Sequence, residues 1–176
     1  KISDQKYRQA EQLVDDISDY MRAMLHDTGQ PMVTVAEESA QQLRYLEIEQ
    51  VRFPERLHFD VHIDEAVANW QIPALIIQPL IENAIKYGVS CSADPVTIKL
   101  SATKEEDRLR LSVANTGRMI IGPNDHAGTG TGLANVEERL AVVYGSSAAL
   151  ITANTEDGMA IATIILPDRG QMLQVS

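Results

Sequence analysis

The sequence predicts an α/β sandwich in which one mixed sheet is covered by helices on one face. In several segments apolar residues recur every three or four positions, as in helices with one buried side. In others they alternate strictly with polar residues, as in half-buried strands. The two kinds of segment interleave along the chain and the later strands pair as hairpins, so sheet and helices must cover one another as layers. A length of 176 residues suits one domain with a helical appendage. With 44% hydrophobic and 23% charged residues the chain has ordinary globular composition, which excludes a disordered, collagenous or disulfide-dense protein.

From Asp4 to Leu25 the residues Ala10, Leu13, Val14, Ile17, Tyr20, Met21 and Met24 predict one long amphipathic helix. Asp15, Asp16, Asp19 and Arg22 form its polar side, and Gly29-Gln30-Pro31 stops it. A second helix is expected from about Thr34 to Val51, with Ala36, Ala40, Leu43 and Leu46 on the buried face and Pro54 forbidding continuation. Leu57 to Ile63 alternates strictly and predicts a strand, with His58 and His62 as solvated residues on its polar side.

Pro73 to Val89 predicts a helix whose two sides differ sharply. At about 100° per residue, Gln78, Pro79, Glu82, Asn83 and Lys86 share one side and Ile76, Ile77, Leu80, Ile81 and Ala84 the other. Pro79 should kink this helix or mark its true start. Strands at Val96 to Ala102 and Leu109 to Ala114, joined by Lys104-Glu105-Glu106-Asp107, predict a hairpin. Asn115 to Gly130, with four glycines and Pro123, is too broken for regular structure. Thr131 to Tyr144 predicts a helix with Leu133, Val136, Leu140 and Val143 on one side and Gly145 as its stop. Ala148 to Ala153 and Met159 to Leu166 form a last hairpin across Glu156-Asp157-Gly158, before a loose tail at Gln171 to Ser176.

Charge and cysteine content narrow the chemistry. Fifteen Lys and Arg against 25 Asp and Glu give a net charge of −10, which argues against nucleic-acid binding, where phosphate neutralisation dominates affinity. Cys91 is the single cysteine, so an internal disulfide is excluded and a reducing, cytoplasmic setting fits. No run approaches the roughly 18 apolar residues a membrane span requires, and no signal peptide opens the sequence. The chain begins at Lys1 without Met and is expected to be a piece of a longer protein.

The candidate chemistry lies in two places. At Gly128-Thr129-Gly130-Thr131-Gly132-Leu133 a glycine-rich loop runs into a helix, where backbone N–H groups and the positive dipole end suit a polyanion. No Gly-Lys-Ser/Thr follows, so this is not a Walker loop. The second place is the polar side Glu82, Asn83 and Lys86. An Asn oxygen together with nucleotide phosphates suits Mg²⁺, which keeps several waters; Glu82 suits proton acceptance or water orientation and Lys86 a phosphate contact. Arg139, two turns into the last helix, reads either as a surface charge or as a structural pair.

Taken together, these residues resemble a known family. Gln78-Pro-Leu-Ile-Glu-Asn-Ala-Ile-Lys-Tyr-Gly88 is similar to the N box of sensor histidine kinases, Val113-Ala-Asn-Thr-Gly117 to their G1 box, and Gly128 to Leu133 with Asn135 and Arg139-Leu140 to their G2 box. Order and spacing match the GHKL ATPase superfamily, most closely its LytS/YehU-type membrane histidine kinases. Tyr45-Leu-Glu-Ile-Glu-Gln-Val-Arg-Phe53 and Tyr144-Gly145 add to the likeness, which covers roughly residues 5 to 167.

The resemblance implies a Bergerat fold, with residues 1–30 as the second helix of a dimerisation bundle, 31–170 as the ATP-binding catalytic domain and 171–176 as a tail. It implies ATP and Mg²⁺ as cofactors, Glu82 as the general base or water-orienting carboxylate, Asn83 as the Mg²⁺ ligand and Lys86 as a phosphate contact. Asn115 would meet the adenine amino group beside Gly117, and Gly128, Gly130, Thr131, Gly132 and Leu133 with Asn135 would close over the phosphates. Most such kinases carry Asp where this chain has Asn115, which removes the charge-assisted part of that hydrogen bond. Met119 stands where a glycine is usual, and the lid is short. The implied partners are a response regulator and a second copy of a membrane-anchored parent protein. The family's phosphoacceptor lies in an Asn-Pro-His-Phe-like box that the 176 residues lack, so the chain alone is expected not to autophosphorylate. His26 is a poor substitute, because Gly29 and Pro31 end its helix at once. The alternative is a degenerate module that dimerises or holds a partner without nucleotide.

Overall fold

A computed structural model of the chain describes residues 32–117 and 131–168. The expected first helix, His26, Met119, Gly128, Gly130 and the tail lie outside these residues, as does the side chain of Thr131. Strand β1 (Met32–Thr34) leads directly into helix α1 (Val35–Arg52). Thr34 starts that helix through a capping box: its Oγ1 accepts from Glu37 N at 3.1 Å, and Glu37 Oε2 accepts from Thr34 N at 2.8 Å. The Thr34 N–H and the Thr34 hydroxyl, which donates to Glu37 Oε2 at 2.8 Å, hold the Glu37 carboxyl below its ordinary pKa.

Strand β2 (Leu57–Ile63) follows, then a short helix α2 (Glu65–Ala68), and strand β3 (Gln71–Pro73), which pairs antiparallel with β1. Helix α3 (Gln78–Asn83) continues without a break into a π-helical turn (Ala84–Val89), where Ser90 N–H donates to Ile85 O, five residues back, at 2.9 Å. Strands β4 (Val96–Glu105) and β5 (Arg108–Thr116) form a hairpin; helix α4 (Thr131–Tyr144) precedes a second hairpin of β6 (Ala149–Asn154) and β7 (Met159–Pro167).

The main sheet has the order β2-β4-β5-β7-β6. Only β2 and β4 are parallel within it, so the sheet is mixed as expected. Ile98, Leu100, Leu111, Val113, Ile164 and Leu166 line one face and join Leu46, Ile76, Ile77, Leu80, Ile81, Val136 and Leu140 of the helices in one core. The opposite face carries Lys99, Ser101 and Arg110 and, at its centre, a 3.0 Å hydrogen bond between Ser112 Oγ and Thr163 Oγ1.

Several elements depart from the sequence reading. Helix α3 begins at Gln78 rather than Pro73, because Pro73 ends β3 and Leu75 adopts a left-handed conformation (φ +59) that turns the chain. Pro79 therefore sits in the first turn, where its missing N–H leaves no intrahelical bond unmade. β5 runs through Asn115 to Thr116, so Asn115 is a strand residue and not part of a loop. In α1, Ala36 and Ala40 are exposed, whereas the buried face consists of Val35, Glu38, Ser39, Gln41, Gln42 and Leu46. Of these, Glu38 meets backbone N–H groups, whereas Ser39 Oγ and both amide atoms of Gln42 are buried without a hydrogen-bond partner among the described residues.

Candidate nucleotide site

Helix α3 and its π-turn form one wall of the site. Ile76, Ile77, Leu80, Ile81 and Ala84 are buried, which leaves the opposite side to Gln78, Glu82, Asn83 and Lys86. Glu82 and Lys86 are exposed and Asn83 is half-buried. Gln78 Nε2 donates to Glu82 Oε1 at 2.7 Å, one turn apart, and so orients that carboxylate. The Lys86 ammonium lies 5.0 Å from the Tyr87 ring centroid. Among the described residues no three His, Cys, Asp or Glu side chains converge on one point. On this side Asn83 offers a neutral amide one position after the Glu82 carboxylate.

The floor is Asn115, which is 3% exposed. It lies on the buried side of β5, opposite Ile98 of β4 and Ala160 of β7. Its Nδ2 donates to Thr116 O at 3.0 Å, while Thr116 Oγ1 accepts from Thr97 N at 3.1 Å. Gly88 of the π-turn approaches so closely that a Cβ there would meet Asn115 Nδ2 at 2.8 Å. Only a glycine lets helix and strand come this near. Gly117 ends β5 at φ +98, and its N–H donates to Gly158 O at 2.9 Å, which ties the strand end to the β6–β7 turn.

Helix α4 closes the described part of the site. Its Gly132 stands beside Pro79, where an added Cβ would lie 3.8 Å from the proline Cβ, so the starts of α3 and α4 adjoin. Leu133 is half-buried and Asn135 exposed. The structure thus gathers Glu82, Asn83, Lys86, Asn115, Gly117 and the start of α4 around one region, whereas Gly128 and Gly130 lie outside the described residues.

Three further residues hold this arrangement. Arg139 is a structural residue, donating to Ala74 O at 2.5 Å and Leu75 O at 3.2 Å across the turn that precedes α3. Glu38 is 1% exposed, and its Oε1 accepts from Ile77 N at 2.5 Å. Burial pushes its carboxyl up to about 7, against the N–H groups of Ile77, Ile76 and Leu75 and the Arg139 guanidinium, which favour the charged form. Arg56 donates to Val89 O at 2.7 Å and to Ser92 O. The periodicity did contain a signal for Glu38: it stands three residues after Val35 and eight before Leu46, in phase with both. Arg56 follows a proline in a connection and carries no such signal.

With this geometry in place, the likeness to known proteins can be stated. Residues 71–170 match the model for the histidine kinase-, DNA gyrase B-, and HSP90-like ATPases, and residues 1–57 match a histidine kinase model. The chain belongs to the histidine kinase-, DNA gyrase B-, and HSP90-like ATPase family. It is 29% identical to the sensor protein LytS of Oceanobacillus iheyensis, over 91% of this chain and 29% of that protein. It is 32% identical to the sensor histidine kinase BtsS of Escherichia coli, over 93% of this chain and 28% of that protein. The chain thus spans less than a third of the length of these relatives. Among solved structures, the histidine kinase domain of the Erythrobacter litoralis blue-light activated histidine kinase superposes with a TM-score of 0.62 at 17% identity, covering 96% of this chain and 86% of that one. The histidine kinase ThkA, solved in complex with the response regulator protein TrrA, gives 0.50 at 17% identity, covering 97% and 50%. These structures share the fold expected from the sequence.

Proposed function

We propose that this chain is the ATP-binding catalytic part of a sensor histidine kinase, donating the γ-phosphoryl group of ATP to a histidine carried elsewhere in the full-length protein. The carrying observation is that the polar side of α3, the buried Asn115 beneath Gly88 and the start of α4 converge on one region. In the transfer the bond between the γ-phosphorus and the β–γ bridging oxygen breaks, an N–P bond forms on the histidine, and ADP leaves. Such a transfer is governed by positioning and charge neutralisation.

Asn115 accepts from the adenine amino group through Oδ1, since its Nδ2 is engaged with Thr116 O. Asn83 holds Mg²⁺ and Lys86 contacts a phosphate. Glu82, oriented by Gln78, accepts the proton or orients the attacking group. Gly117, Gly132, Leu133 and Asn135, together with Gly128, Gly130 and Thr131, surround the nucleotide from the other side. Mg²⁺, which Asn83 would hold, would supply neutralisation of the charge that develops on the phosphates. The likeness to sensor kinases supports a response regulator as the acceptor of the phosphoryl group, a homodimeric parent protein, and a cytoplasmic position beneath a membrane anchor.

The test is thermal unfolding with Mg²⁺ and ATP, ADP or GTP. Ligand at about 100 times its dissociation constant adds roughly 2.7 kcal/mol. Stabilisation by adenine nucleotides above GTP, and its loss in Asn83→Ala for the Mg²⁺-dependent part, is expected. No shift at millimolar nucleotide would leave the second reading, a module that binds a partner without nucleotide.

A further inference from the structure

One stretch of chain, α1 with the connection after it, grips both ends of the helix that carries Glu82, Asn83 and Lys86. At the N-terminal end Glu38 reaches from the first turn of α1 to the N–H of Ile77, and the N–H groups of Leu75 and Ile76 face the same carboxyl. The left-handed Leu75 turns these donors inward, a conformation a bulky residue holds only under constraint. At the C-terminal end Arg56 donates to Val89 O, the last residue of the π-turn, and to Ser92 O. Its guanidinium is steadied over the Phe53 ring, 5.6 Å from the centroid.

The signs of the two groups suit the ends they hold. An acidic side chain meets the end where free N–H groups gather, and a cation meets the end where free carbonyls gather. Neither residue is placed to satisfy all of its own polar atoms. Among the described residues Glu38 Oε2 and Arg56 Nε are buried without a hydrogen-bond partner. A buried, partly satisfied charge is poor value for stability compared with an apolar side chain of the same volume. The buried Glu38 and the half-buried Arg56, at opposite ends of one helix and from one segment, fix where that helix lies.

We infer that Glu38 and Arg56 are positioning residues of the nucleotide site, a two-ended clamp through which α1 sets the register of Glu82, Asn83 and Lys86. This rests on the nucleotide reading above. α1 and its connection are bonded to the edge strand β2 and the start of β4, whereas Asn115 lies on the central strand β5, so the clamp acts first on the metal and phosphate side of the site and least on the base side. Any displacement of α1 along its own axis is then a displacement of Asn83 against Asn115.

The experiment uses the 176-residue chain and measures dissociation constants for adenosine and for a non-hydrolysable ATP analogue, the latter with saturating Mg²⁺ and with EDTA. Its readout is the gain in analogue affinity that Mg²⁺ provides. Arg56→Met keeps the stem over Phe53 and removes the donors, and Glu38→Ala removes the acceptor. Each is expected to lower the Mg²⁺ gain by about tenfold or more, in the range found when partners that orient a metal ligand are removed, with adenosine affinity unchanged. Arg56→Lys restores a single charged donor and most of the gain. Should Glu38→Ala fail to fold, Glu38→Met, which removes the acceptor at similar volume, and Arg56→Met carry the test. A wild-type gain in folded variants, or a parallel loss of adenosine and analogue affinity, overturns the clamp alone. Absence of adenine nucleotide binding in the unmutated chain overturns the nucleotide reading, and the clamp with it.

Discussion

Helices α1 and α3 both contribute to the one core, yet they bury opposite kinds of side chain. α3 and the turn before it place Ile76, Ile77, Leu80 and Ile81 in the core at no more than 1% exposure, while α1 buries Glu38, Ser39, Gln41 and Gln42 between Val35 and Leu46. Apolar burial contributes stability in proportion to area and tolerates small slips of one surface over another. A buried carboxyl on a backbone N–H contributes little net stability but has one acceptable geometry. The apolar face of α3 holds the helix in the molecule, and the polar face of α1 decides where along its axis it sits.

The sharpest break of this contrast is a cavity under α3. Leu80→Ala is expected to destabilise the chain by about 2–5 kcal/mol in denaturant unfolding, and a loss below about 1 kcal/mol would mean that α3 is not anchored by its apolar side. Next in size is a pH effect on the polar side. Because the folded-state pKa of Glu38 is raised from 4.5 to about 7, the folded chain holds that proton more tightly than the unfolded chain. Its contribution is complete below pH 4.5 and is lost as pH rises through about 7, an effect on the order of 3 kcal/mol at about 1.4 kcal/mol per unit. Glu38→Gln removes that part of the pH profile, and a variant profile that still falls across the same window would assign it to another group. Smallest is Thr34→Ala, which takes away the capping box and should lower stability by about 1 kcal/mol. An effect near zero would show that α1 is held by its buried polar contacts rather than by its start.

The legibility of the fold followed the same division. Helix α4 was readable to its ends, and α3 showed its two sides at once, because apolar and polar residues separate cleanly on both. The short strands β1 and β3 and the four-residue α2 are too brief for any period to appear. The inward side of α1 was misread because periodicity looks for apolar residues, and Ala36 and Ala40 drew the eye from Glu38 and Gln42. The candidate site residues on α3 and β5 were legible as boxes of residue types. The partners of the residues that hold those boxes in place were not legible, since Glu38 meets backbone N–H groups and Arg56 and Arg139 meet backbone carbonyls, which have no signature in sequence.

The π-turn at Ala84–Val89 has a consequence for chain length. An i to i−5 bond encloses one more residue than an α-helical turn, so this helix carries a residue that regular winding would not need. Deleting a single residue between 84 and 89 would let the turn rewind as ordinary α-helix. Where the turn does not rewind, everything after the deletion swings by about 100°, and Gly88 leaves its place against Asn115. The count of residues between Asn83 and Gly88, as much as their identity, therefore determines whether the helix and the strand can meet.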